Sequence, residues 1–534
     1  MKTKFLFLLL IPLFALSQTP ETFKNPILPG FHPDPSICRV GDDYYLVNSS
    51  FEWYPGLPVF HSKDLVNWEL IGYGIHRPTQ VELPVGLKDS RGVYAPTIRY
   101  HEGVFYIINT CVNCKGNFYI TATNPAGPWS EPVWLNSHGI DPSLFWDDDG
   151  RCYYIGHGFR GEKRQWEAEE GVWMQELDLK QGKLVGSWKQ LTHGHASNAR
   201  WTEGPHLYKI DGKYLLLVAE GGTGFHHAVT IFNSDSLWGP YIPNHANPLI
   251  THRNLGKDYP IHSIGHADLV QTQNGDWWSV MLGKRLVNGS TLLARETFLT
   301  PVKMEIQEKV LTTVFNPGIG KLLPEQKRPD LPWKPIKKSA ARDEFENPEL
   351  DLQLNFLRTP YSKWYEINSG KLILQLRPEI ADSLVNPSLI ARRIEHHRFS
   401  ASTLVNFKSK ETNESAGIIM YRNSTNFIQL MKSGNELILT ECTKGLKREL
   451  ARLVCKNDQI VLKVEANNTE AQFSFGETEN SLTPIRGKVS IVMLSDEVAG
   501  GFSGPYVGMY ATSNGRKSTS AADFDWFEYK TTMN

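Results

Sequence analysis

Along the first 320 positions the apolar residues come in short alternating runs broken by Gly- and Asp-containing turns. Alternation of period two marks antiparallel strands, and no long stretch keeps the 3.6-residue period of a helix. Five segments repeat one plan: a small or acidic head, an apolar strand, a tight turn and an aromatic-rich second strand. They read Asp34-Pro-Ser-Ile with GDDYYLVNSS, Ala95-Pro-Thr-Ile with HEGVFYIINT, Asp141-Pro-Ser-Leu with DDDGRCYYIG, Gly204-Pro-His-Leu with IDGKYLLLVA, and His266-Ala-Asp-Leu with QNGDWWSVML. The heads lie 61, 46, 63 and 62 residues apart. That spacing is too long for one hairpin and fits a four-stranded sheet with an insertion, the unit of a propeller blade. Equivalent positions of successive blades face one axis. Asp34, Asp141 and Glu203, which precedes the fourth head, are therefore expected to converge as carboxylates at one mouth of the ring.

The chain divides accordingly. Residues 25–320 carry the repeats, with 162–170 charged and readable as a short helix or a surface loop. Residues 321–341 are Pro- and Lys-rich without periodicity, the character of a linker. From 342 to 534 strand patterns resume (KLILQL, STLVNF, GIIMYR, FIQLMK, ELILTE, QIVLKVEA, KVSIVML, YVGMYA, DFDWFEYK), with turn spacing that predicts an antiparallel sandwich. The expected fold is all-β: a five-bladed β-propeller followed by a β-sandwich. Asp343-Glu-Phe345 and Asp523-Phe-Asp525-Trp526 read as neighbouring end strands. Their acids, Asp343 and Asp525 among them, suit a structural calcium ion or serve as solvated edge charges.

Lys2 and Lys4 precede an apolar run over residues 5–16, followed by small residues, so residues 1–17 read as a secretory signal peptide. Twelve apolar residues are too few to span a bilayer, and export to the periplasm or beyond is expected. A formal net charge of −1 argues against nucleic acid as a partner. Six cysteines are sparse for an exported chain of 534 residues, so disulfides are not its main staple. Cys111-Val-Asn-Cys114 reads as a local disulfide or a thiol pair; no second Cys/His pair stands at zinc-site distance.

Asp34 and Asp141 each begin an Asp-Pro-Ser segment. Proline fixes its own φ and biases the residue before it toward an extended backbone, a rigid way to present a carboxylate. A turn that merely starts the blade is the plainer reading of one copy. Two copies in phase with Glu203 point to chemistry. Glycoside hydrolysis uses one carboxyl to protonate the leaving oxygen and another to activate water or attack the sugar. The acid's pKa must be raised by burial or by a neighbouring negative charge, a part the third carboxylate can play.

These residues resemble glycoside hydrolase family 43. The resemblance rests on Asn25-Pro-Ile-Leu-Pro-Gly-Phe-His-Pro-Asp34-Pro-Ser-Ile, Gly92-Val-Tyr-Ala-Pro-Thr, Gly139-Ile-Asp141-Pro-Ser-Leu-Phe, Glu203-Gly-Pro-His-Leu-Tyr-Lys, Gly265-His-Ala-Asp-Leu and Ala294-Arg295-Glu-Thr-Phe, in that order. It extends to the C-terminus, because the β-xylosidases and α-L-arabinofuranosidases of that family also carry a concanavalin- or lectin-like sandwich. It implies an inverting, exo-acting glycosidase on xylo-oligosaccharides or arabinoxylan-derived chains that needs no cofactor for its chemistry. A non-catalytic carbohydrate-binding propeller is the alternative of another class. Asp34 would be the base, Glu203 the acid and Asp141 the modulator of Glu203. Arg295 would sit beside the base, unless it forms a strand salt bridge to Glu296. His266 would lie on the axis, as the contact of a channel water or ion or as a satisfied core histidine. Phe51, Trp53 and Tyr94 match positions of the sugar-binding wall, although relatives often carry Trp at Tyr94 and an acidic residue or His at Thr97. Gly500-Gly-Phe502-Ser-Gly504 resembles a sandwich loop that closes the pocket with Phe502; otherwise it is a hairpin with a buried Phe.

Overall fold

The computed structural model describes residues 19–337 and 339–532; the expected signal peptide lies outside them. Each of the five repeats opens one antiparallel sheet of four or five strands. The first strands, Ser36–Val40, Thr97–His101, Ser143–Trp146, Glu203–Ile210 and Ile261–Gln271, border one another in ring order and so line the axis. Each pairs with the aromatic-rich strand that follows it, as in Ile98 opposite Ile107 and Leu144 opposite Tyr154. The alternation read from the sequence thus becomes apolar contact between adjacent blades.

The ring is closed by the segment that precedes the first blade. Asn25 binds both backbone groups of Leu299 in the fifth blade, donating to its carbonyl at 2.9 Å and accepting from its N–H at 3.0 Å. The residues expected as a free linker take part. Leu322 and Leu331 are buried, and Glu325–Lys327 pairs with Thr22–Lys24. Proline-rich composition concealed this strap because its strand is three residues long. Residues 162–170 form an irregular loop and contain no helix.

The sandwich consists of a nine-stranded and an eight-stranded sheet. Asp343 pairs with Phe527, so its first and last strands are neighbours as expected. KVSIVML is not a full strand. Val489–Ser490 bridges briefly, then the chain turns through the 3-10 segment Val492–Leu494, burying Met493 and Leu494, into the short helix Asp496–Ala499. That turn brings Asp496 between Lys284 of the propeller and Arg422 of the sandwich, each at 2.6 Å.

The two domains share a sheet. Trp53–Tyr54, from the first blade's connection, is the edge strand of the eight-stranded sheet, with Trp53 opposite Leu357 and Tyr54 opposite Phe356. The apolar core runs without interruption from Val47 and Leu57 of the propeller to Ile390 and Met509 of the sandwich. Cys111 and Cys114 form a disulfide, while Cys38, Cys152, Cys442 and Cys455 are buried free thiols. Among the described residues no helix is long and apolar enough to cross a membrane.

Candidate active site

The blade heads meet at one end of the ring. Asp34, Asp141, Glu203, His266 and Arg295 line a cavity of about 470 Å³ together with Phe51, Tyr94 and Phe502. The backbone presents them differently from the sequence expectation. Asp34 and Asp141 have φ of 52°, Gly204 56° and His266 49°, so four of five heads are left-handed and the following proline does not hold the aspartates extended. The chain turns at the axis to enter each first strand, and aspartate tolerates that region better than most residues. Such local strain persists where packing overdetermines it, commonly at functional sites.

Arg295 donates from one guanidinium nitrogen to Asp34 Oδ1 at 2.6 Å and from the other to the carbonyl of Phe502 at 3.1 Å. Ser49 donates to the second oxygen of Asp34. The alternative partner, Glu296, is taken by Arg285 through two bonds of 2.7 Å. Burial, then the charges of Asp141 and Asp34, hold the Glu203 carboxyl well above the usual carboxylate range, with Arg295 opposing. Asp141 is itself pushed up by burial to about 6, opposed first by His266. Burial and its acidic neighbours thus favour the protonated form of Glu203. A carboxyl whose protonated form is favoured, a second acid bound to arginine and a third in the same cavity can serve acid–base chemistry at a single bond.

Phe51, Tyr94 and Phe502 form one aromatic wall, with ring centroids 5.0 Å apart for Phe51–Tyr94, 5.9 Å for Phe51–Phe502 and 6.0 Å for Tyr94–Phe502. Trp53, expected beside them, does not line the cavity. Its ring lies buried at 3.4 Å from that of Tyr506, in the joint between the domains. Period-two alternation would place both rings on one face, but Phe51 has φ of 51° and a turn at Glu52 precedes the strand Trp53–Tyr54, so the phase is broken between them. Thr97 is buried and donates to the carbonyl of Pro142 at 2.9 Å, so it ties blade two to blade three.

Facing the aromatic wall are Trp201 and the loop over residues 221–227, including Phe225 and His226, none of which the sequence reading singled out. The glycines at 221, 222 and 224, directly after a strand, were the available signal. Also unread as a repeat was a polar position two residues after each head: Ser36, Thr97, Ser143, His206 and Asp268, all buried. Asp268 is the hub of these, accepting from Ser36 at 2.6 Å and from Arg99 at 2.8 Å, while Arg99 also reaches His206 at 2.9 Å. Arg99 and His206 hold the Asp268 carboxyl far below its ordinary range against its burial.

His266 packs its ring against Gly204, where a Cβ would stand 3.0 Å from the imidazole and the φ of 56° also favours glycine. Among the described residues no group of three or more His, Cys, Asp or Glu side chains could hold a metal ion, and neither His266 nor the pair Asp343 and Asp525 belongs to one. Asp525 faces Lys371 at 3.7 Å, and Asp343 accepts the N–H of Phe345 at 2.9 Å.

Known proteins resemble the chain along nearly all of its length. The family model described as Glycosyl hydrolases family 43 matches residues 23–309, and that of the β-xylosidase C-terminal concanavalin A-like domain matches 342–530. A xylosidase/arabinosidase of Butyrivibrio fibrisolvens is 42% identical over 94% of this chain and 98% of its own. A non-reducing end α-L-arabinofuranosidase of Bacteroides ovatus is 39% identical, with 98% of each chain covered. The solved structure of a xylan β-1,4-xylosidase from Bacillus halodurans superposes with a TM-score of 0.88 at 34% identity, covering 95% of this chain and all of that one.

Proposed function

The chain belongs to glycosyl hydrolase family 43, and we propose that this member is an exo-acting, inverting glycosidase that releases terminal β-D-xylosyl residues from xylo-oligosaccharides. The observation that carries the reading is the convergence of Asp34, Asp141 and Glu203 in one cavity, with Arg295 bound to Asp34 and Phe502 across the mouth. A cavity walled on this side by a sandwich loop favours a chain end over a running chain.

In this reading Asp34 removes a proton from a water molecule as its oxygen attacks the anomeric carbon. Glu203 delivers its proton to the departing glycosidic oxygen, which leaves as a hydroxyl. Asp141 keeps Glu203 protonated, and Arg295 fixes Asp34 by a charge-assisted hydrogen bond. Two carboxyl groups suffice for this reaction, so no cofactor is assigned to it. The amino-terminal residues 1–17 favour export to the periplasm or beyond. A second reading, removal of terminal α-L-arabinofuranosyl residues, is favoured by the names of the relatives at 42% and 39% identity.

Incubation with xylobiose and with arabinofuranosyl-branched oligosaccharides, followed by NMR, tests the proposal. Release of xylose whose first anomer is inverted is expected; a retained first anomer would overturn the mechanism, and binding without release would make the propeller a carbohydrate-binding module. Glu203→Gln should lower kcat on xylobiose by about 10²–10⁴-fold with the fold intact. Wild-type turnover in that variant removes Glu203 from the acid's role.

A further inference from the structure

Phe502 belongs to the sandwich, yet it forms part of a wall otherwise built by the propeller. What holds it there is a small polar cluster behind the wall. Ser90 Oγ accepts the N–H of Phe502 at 2.7 Å and that of Ser503 at 3.3 Å. Ser503 Oγ lies 2.9 and 2.8 Å from the two carboxyl oxygens of Glu52, and one of these also accepts the N–H of Ser90 at 3.0 Å. Glu52 is fully buried and, among the described residues, has no basic side chain bonded to it; the nearby Arg358 is bonded to Asp89 at 2.8 Å. A buried carboxyl without a charge partner is costly, so its retention needs a reason. All the side-chain bonds of Glu52 end on the two serines that hold residues 502 and 503. The fit is close: Gly501 has φ of 75°, and a Cβ on it would stand 2.5 Å from Ser90 Oγ.

We propose that Glu52 is a positioning residue that docks the sandwich loop 500–504 across the mouth of the cavity, holding Phe502 in the sugar-binding wall through Ser90 and Ser503. The proposal rests on the glycosidase reading for its consequence in catalysis, but the docking itself does not. Burial, joined by the charge of Asp89 and opposed by Arg358 and Ser503, pushes the Glu52 carboxyl up to about 7. A neutral carboxyl is therefore accessible near neutrality, and glutamine is a close mimic: its carbonyl can accept from Ser90 and its amide can donate to Ser503. A residue that acts only by filling space would not be rescued by that swap more than by any other of similar volume.

Amide hydrogen exchange over residues 501–503, measured in the full chain, reads the docking without any substrate. Glu52→Ala and Ser503→Ala should speed exchange there by about tenfold, the scale of one or two lost hydrogen bonds, while exchange in the blade strands stays at the wild-type rate. Glu52→Gln should restore protection, and Glu52→Met should not. On the released-sugar assay, Glu52→Ala and Ser503→Ala should raise KM about tenfold with little change in kcat, because a binding wall and not an acid or base is disturbed. Should Glu52→Ala fail to fold, Ser503→Ala carries the test, since it removes one hydroxyl and no charge. Wild-type exchange at 501–503 in Ser503→Ala, or equal rescue by Met and Gln, overturns the proposal whatever the substrate. A wild-type protein that releases no sugar while exchange responds as described supports the docking and counts against the glycosidase reading.

Discussion

Glu203 holds its proton because of where it stands. Water is kept from most of its surface, and Asp141 and Asp34 both disfavour a further negative charge, while Arg295 is the counterweight. In the inverting mechanism the alkaline limb of activity is the loss of that proton. Asp141→Asn removes the stronger of the two aspartate influences on Glu203 and should move the alkaline limb of kcat/KM on xylobiose to lower pH; an unmoved limb would mean that Asp141 does not set it. The same substitution bears on stability. Asp141 is raised in the folded state from 3.8 to about 6, so its contribution to stability is full below about pH 4 and is lost as pH rises through about 6. Denaturation of Asp141→Asn should accordingly depend less on pH across that window than denaturation of the wild type.

At the scale of elements, the strand Trp53–Tyr54 does two things at once. Phe51, two residues before Trp53, walls the cavity, while Trp53 stacks on Tyr506 and its backbone pairs with Leu357. Trp53→Ala should cost about 3–5 kcal/mol in chemical denaturation, as for other buried tryptophans, and should raise KM because Phe51 loses its support. A loss below about 1 kcal/mol would mean that the stack of Trp53 on Tyr506 is dispensable. The repeats made the five blades legible, since each hairpin closes within a few residues of its own turn. The convergence of Asp34, Asp141 and Glu203 followed from their phase in the repeat. Trp53–Tyr54 was not legible as a strand of the sandwich, because its partner lies some 300 residues away and two residues leave no period to read. For the same reason the strap at Glu325–Lys327 passed as linker. The buried polar ring at Ser36, Thr97, Ser143, His206 and Asp268 was in phase and on the page, but polar residues near a strand start read locally as turn formers.

The two domains are tied together at several places, although each matches its own family description. An edge strand crosses from propeller to sandwich, the largest core cluster contains residues of both, and the ion pairs of Asp496 with Lys284 and Arg422 join them again beside the site. The cavity needs both parts, since its wall is Phe51 and Tyr94 from one and Phe502 from the other. Independent domains with a polar joint would move and melt separately. Here, removal of the sandwich would expose Phe31, Phe51 and Trp53 together, a patch that soluble surfaces rarely carry. Thermal unfolding of the full chain should thus be a single transition, coincident by calorimetry, by near-ultraviolet circular dichroism and by loss of hydrolysis. A chain ended after residue 341 should bind a hydrophobic dye and release no xylose from xylobiose. Two resolved transitions, or a propeller fragment that keeps wild-type KM, would show that the shared strand and the roof contributed by Phe502 are incidental to the site.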